Sequence, residues 1–165
     1  VQVMGSALRK GSFELCGAEA DGAISWICPG SYLRDVAIPA MEKGAKEAGR
    51  PVPPLIAHAP VCVHDNPEEV RAAVRAQVMN PRLPYYQNML IAAGYPEARD
   101  GNWSDAMIDG AVIWGDEETA AQGIQELFDM GATEVLASPI TAGSDQAASL
   151  DRTTRLLGQA AAAVR

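Results

Sequence analysis

The chain has 165 residues, 48% of them hydrophobic and 21% charged, which is enough apolar material for one globular domain with a buried core. Its 13 Lys and Arg against 21 Asp and Glu leave a formal net charge of −8, which excludes a duplex nucleic-acid surface, because phosphate binding needs clustered cations. No apolar stretch approaches the roughly 20 residues that cross a bilayer, and the three cysteines, Cys16, Cys28 and Cys62, form no CxxC pair and suit a reducing cytoplasm; small molecules are the expected partners.

Val1 stands where an initiating Met would, and a strand pattern begins at once, so upstream coding sequence is expected. Val1 to Ala7 reads as a buried strand, and Arg9 to Ala20, with Phe13 and Cys16 at helical spacing, as the helix after it. The β-prone run Ala23 to Cys28 ends at Pro29-Gly30. Tyr32 to Ala48 then lines Leu33, Val36, Ala37, Ala40, Met41 and Gly44 along one helical face. Leu55 to Val63 is a third strand. Asp65-Asn66-Pro67-Glu68-Glu69 opens a helix to about Val78, with an Asx cap, Pro in the first turn and acids near the positive end of the dipole.

A longer excursion, residues 80–115, separates this third unit from the fourth. Pro81 and Pro84 break the chain, a short helix runs from Tyr85 to Ala93, and Gly94, Pro96 and Gly101 predict a loop. After a segment from Ser104 to Ile113, Asp116 caps a helix whose inner face carries Ala120, Ala121, Ile124, Leu127 and Phe128, and Gly131 closes it. Glu134 to Ser138 is the fourth strand, Pro139 to Asp145 a polar loop, and Leu150 to Val164 an amphipathic terminal helix.

Four βα units in a single domain over 1–165 predict an α/β fold with a parallel sheet and right-handed crossovers. The first turn, Ser6 to Gly11, lacks the GxGxxG spacing of a doubly wound sheet, so a barrel ranks above it.

Three runs, VMGSALRKGSFELCGAEADGAISW, PLIAHAPVCVHDNPEEVRAAVR and GDEETAAQGIQELFDMGATEVLASP, resemble successive strands and helices of the luciferase-like monooxygenase family in their order and spacing. The resemblance implies a (β/α)8 TIM barrel of which this chain supplies strands five to eight, a partial barrel. It is nearest to the members that use the deazaflavin coenzyme F420, with the FMN-dependent monooxygenases as the alternative. It implies hydride transfer between coenzyme F420 and an organic substrate by a cytoplasmic, homo-oligomeric parent enzyme. The catalytic residues would come from strands one to four, so none is named here.

By the same resemblance, the turn after the first strand meets the coenzyme's phosphate-bearing tail through helix N-terminal amides, which points to Ala7, Leu8, Arg9, Lys10 and Ser12. Arg9 stands where the family often has Gly. The competing reading makes Arg9 and Lys10 solvated first-turn residues, but cations at a helix start are unfavourable unless an anion is near. Trp26 matches a substrate-side position, and Tyr85 and Tyr86 sit in a long loop of the kind that closes over ligands; the alternative for Trp26 is the core, and for the tyrosine segment plain packing or a dimer contact. His58 and His64 have no Glu or Cys at metal spacing and predict no zinc site; His58 reads as a strand residue with a satisfied nitrogen. Asp65 and Asp116 read as caps, and Ser138-Pro139 lacks the glycines of a nucleophile elbow. A different class stays open: a non-catalytic half-barrel that pairs with a copy of itself through unpaired edge strands, or that binds a phosphate-bearing ligand.

Overall fold

A computed structural model describes residues 1–163; Val164, the predicted end of the terminal helix, lies outside the described residues. Strands β1 (Met4–Ala7), β2 (Gly22–Ser25), β3 (Leu55–Val63), β4 (Ile113–Gly115) and β5 (Glu134–Pro139) form one parallel sheet. Helix α1 (Lys10–Glu19) follows β1. Helix α2 (Gly30–Tyr32), a wide π turn over Leu33–Ala37 and α3 (Ile38–Glu47) follow β2 in place of the single regular helix expected there. Then come α4 (Pro67–Gln77), α5 (Pro84–Ala92), a 3-10 turn (Pro96–Asp100) and α6 (Asp105–Ala111), with α7 (Glu117–Asp129) after β4 and α8 (Gln146–Ala163) after β5.

The nine-residue β3 is the hub, and it is longer than any neighbour. One of its margins carries β5 from Ile56↔Glu134 to Val61↔Pro139. The other carries β2 at its start, Ala23↔Leu55 and Ile24↔Ile56, and β4 at its end, Val61↔Ile113 to Val63↔Gly115. Because β2 leaves early, the upper part of that margin is free to take β4, a three-residue strand that the four-unit reading does not contain. Beyond β5 the backbone amide of Val63 would be unpaired; instead it donates to Thr153 Oγ1 of α8 at 3.0 Å, with Thr153 fully buried.

Alternation along β3 puts Leu55, Ala57, Ala59, Val61 and Val63 under the helices, all buried. On β5, Val135 and Ala137 face Ile124 of α7 and Leu157 of α8, while Leu136 between them turns to the opposite, open face and is 47% exposed. Helices α1 and α3 cross backbone to backbone: a Cβ on Gly17 would strike the Met41 carbonyl, and one on Gly44 the Glu14 carbonyl. Lys43 pairs with Glu14 across the same crossing.

Caps behave as the residue chemistry demands, with one correction. Asp116 Oδ1 accepts the Thr119 amide at 2.8 Å and Gly131 takes a left-handed φ of 109° after α7. The cap of α4, however, is Asn66, whose Oδ1 accepts the Glu68 amide; Asp65, one residue earlier, pairs with Arg152 at 2.9 Å instead. Arg152 also grips Glu117 with two bonds of 2.6 and 2.7 Å, tying α8 to the start of α7. The predicted strand Ala23 to Cys28 stops at Ser25, because Ile27 adopts a φ of 49°, a conformation that breaks the ladder and is strained for a β-branched residue.

Candidate functional site

The strands are parallel, so their carboxyl ends gather on one rim, where βα loops vary without disturbing the packed interior. The turn from β1 to α1 is the first of these. Ser12, in the first turn of α1, folds its hydroxyl back: Oγ accepts the Leu8 and Arg9 amides, both at 3.1 Å, and donates to the Arg9 carbonyl at 2.7 Å. The next two amides, Lys10 and Gly11, lie outside the intrahelical ladder. Arg9, Lys10 and Gly11 are exposed, and among the described residues nothing lies within 4 Å of where a Gly11 Cβ would be. The buried hydroxyl of Tyr32 sits beside the Lys10 amide. Burial pushes its pKa up to about 12, the Cys28 thiol adds to that, and the Arg9 charge and the Lys10 amide pull against it.

This turn opens on a shallow cavity of about 670 Å³ lined by Leu8, Arg9, Lys10, Ser12, Tyr32 and Tyr85. Tyr85 and Leu8 also line a smaller space of about 250 Å³ with Ala7, Trp26 and Tyr86. Trp26 and Tyr86 in turn wall a third cavity of about 430 Å³, reaching His58 and Ser138 on the open face. The eight positions singled out from the sequence, Ala7, Leu8, Arg9, Lys10, Ser12, Trp26, Tyr85 and Tyr86, thus lie along one path of three adjoining cavities. Tyr85 and Tyr86 are tilted against each other with ring centroids 5.0 Å apart; Met89, one helical turn after Tyr85, is buried beneath α5.

His58 and Ser138 were not among those positions. The Trp26 and His58 rings stack at 3.9 Å, 9° from parallel, and His58 Nε2 lies 2.8 Å from Ser138 Oγ. One ring nitrogen is satisfied, as the sequence suggested, but Nδ1 is buried with no partner among the described residues. Burial holds the imidazole below its ordinary pKa, so it is neutral near pH 7. The signal that could have found the pair is a polar residue at matching parity in two adjacent apolar strands. His64 is half-buried and lies 2.7 Å from Glu69. Burial pushes the Cys28 thiol up to about 12, which leaves it unsuited to thiolate chemistry. Among the described residues, no three His, Cys, Asp or Glu gather as a metal site, and no helix is long and apolar enough to cross a membrane.

A family model described as luciferase-like monooxygenase matches residues 2–134. Among solved structures, one similar fold is an F420-dependent secondary alcohol dehydrogenase in complex with an F420-acetone adduct, at 16% identity, TM-score 0.71, covering 97% of this chain and 49% of that one. Another is the coenzyme F420 dependent tetrahydromethanopterin reductase from Methanopyrus kandleri, at 21% identity, TM-score 0.63, covering 96% and 49%. A third is the oxygenating constituent of 3,6-diketocamphane monooxygenase from Pseudomonas putida, a type II Baeyer-Villiger monooxygenase in complex with FMN, at 15% identity, TM-score 0.57, covering 93% and 45%. At these identities the likeness is one of fold, and the chain spans about half the length of these structures. A search of curated proteins found no match.

Proposed function

The chain belongs to the luciferase-like monooxygenase family, as a partial TIM barrel, and on that premise we propose that it forms the coenzyme-tail and substrate side of a redox enzyme transferring a hydride between coenzyme F420 and an organic substrate, with FMN as the alternative coenzyme. The observation that carries this reading is the β1–α1 turn. Its residues fit a phosphate: two first-turn amides outside the ladder, an uncrowded Gly11, and Arg9 and Lys10 at the positive end of the α1 dipole. Ser12 shapes the turn by gathering the Leu8 and Arg9 amides, and the Lys10 amide lies against the Tyr32 hydroxyl, so the anion would be met by the Gly11 amide and the Arg9 and Lys10 charges.

When bound, the coenzyme supplies the two-electron chemistry; the protein supplies orientation and a dry pocket. Trp26, Tyr85 and Tyr86, placed between the phosphate turn and the inner cavity, would wall the groove and exclude water from it. The test is a titration of the purified chain, and of a longer parent carrying it, with F420 and with FMN. Micromolar binding of one of them, weakened about ten-fold by Arg9→Ala through loss of a charge-assisted contact, is the expected result. Binding of neither would sink the proposal.

The sheet margins favour a second reading. Among the described residues β1 pairs only with β2, and β5 only with β3, while Val3 and Leu136 are exposed beside those margins. A half-barrel that associates through these edges, with a second copy or with the rest of a longer chain, would cover them.

A further inference from the structure

The 430 Å³ cavity lies between the open face of β3 and β5 and the α5 segment, with Met79, Met89, Leu90 and Ile140 in its walls. Several of its polar side chains are already engaged. Gln77 Nε2 donates to the Thr141 carbonyl at 2.6 Å while its Oε1 accepts the Thr141 amide, and Trp103 Nε1 donates to the Met79 carbonyl at 3.1 Å. What remains is the pair His58 and Ser138, together with the Tyr86 hydroxyl and the Trp26 indole N–H.

The direction of the His58–Ser138 bond follows from burial. His58 is 4% exposed, its ring is covered by Trp26, and Nδ1 has no partner among the described residues. A buried N–H without an acceptor costs more than a buried lone pair without a donor, and orphaned buried N–H groups are rare. The ring is neutral, so it carries one proton, and that proton belongs on Nε2. Nε2–H therefore donates to Ser138 Oγ. The serine then keeps its own O–H to give away, and it is one of the residues that line the cavity.

We infer that the Ser138 hydroxyl, held by His58 as a fixed donor, binds one uncharged oxygen of the substrate, a carbonyl, hydroxyl or ether, while the substrate's apolar body fills the cavity beside Trp26. His58 is here a positioning residue: it touches the serine, and the serine touches the ligand. Among the described residues no Lys or Arg lines the cavity, so a carboxylate would be desolvated against neutral donors alone, a poor exchange for its hydration. The inference rests on the redox reading for the statement that the occupant is the substrate.

The experiment uses the purified chain and three small probes: cyclohexanone, methylcyclohexane and cyclohexanecarboxylate. Long-range nitrogen–proton correlation spectra of the 15N-histidine-labelled chain should show His58 protonated on Nε2, a readout that needs no variant. Cyclohexanone should shift the His58 ring signals, and Ser138→Ala should weaken it about three- to ten-fold, the loss of one neutral hydrogen bond, with methylcyclohexane affinity unchanged. His58→Phe should reproduce that loss, and His58→Gln, whose amide restores a donor at the Nε2 position, should recover most of it. A proton on Nδ1, cyclohexanone binding that is absent or indifferent to Ser138→Ala, or a carboxylate that binds as well as the ketone would overturn the inference. No probe carries a coenzyme, so these results and the F420 and FMN titrations can fail separately.

Discussion

At the scale of single residues, His58 shows how burial sets both charge and pH response. Its folded pKa lies below 6.5, because desolvation penalises the imidazolium. The unfolded chain therefore binds that proton first on acidification. The stability contributed is fully present above about pH 6.5 and is lost as pH falls through the lower folded value. Urea midpoints measured from pH 7.5 downward should decline from about 6.5, and His58→Gln should flatten that first decline. Glu117 acts lower: the Arg152 guanidinium brings its pKa from 4.5 to about 2, so its contribution is complete above 4.5 and disappears as pH approaches 2. Glu117→Gln should remove only that later part. The sequence identified His58 as a strand histidine with one satisfied nitrogen. It could not identify Ser138 as the partner, which lies 80 positions away.

At the scale of elements, glycines that look alike in the sequence separate by what surrounds them. Gly17→Ala or Gly44→Ala would drive a methyl into a backbone carbonyl across the α1–α3 crossing, and each should cost about 1–3 kcal/mol by denaturant titration. Gly11→Ala meets open space in the first turn of α1 and should instead stabilise by about 0.5–1 kcal/mol. Arg9→Glu splits two roles that one side chain combines. An acid at the start of α1 should raise stability by about 0.3–1 kcal/mol, while coenzyme binding should weaken; a variant that binds F420 or FMN unchanged would count against a phosphate at this turn. Helix starts and stops were legible because caps act over three or four residues: Asp116, Gly131 and Pro67 announce α4 and α7 locally. The strand β4 was not, since three residues are too few to show alternation. It is a strand only because β3 outruns β2 and leaves a margin to pair with.

For the whole molecule, the one-sided pairing of β1 and β5 has a measurable consequence. If the second reading holds, light scattering of the purified chain should give a mass above that of one 165-residue copy, and charged substitutions on the open face, such as Leu136→Lys, should shift the population toward the monomer. A folded monomer that stays soluble at high concentration would count against self-association through these edges.

Beyond the family resemblance that picked out Ala7, Leu8, Arg9, Lys10, Ser12, Trp26, Tyr85 and Tyr86, the sequence by itself determined the alternation of strands and helices and the caps that bound several of them. These follow from periodicity and short-range hydrogen bonding, which act within a few residues and can be read along a line. Only the tertiary structure decided that β2 parts from β3 after Ile24, that β4 fills the margin left open, and that Trp26, just past the end of β2, meets His58 of β3 and Ser138 of β5 in one row. Lateral register depends on which side chains across distant strands pack together, and a linear pattern carries no record of its neighbours in space.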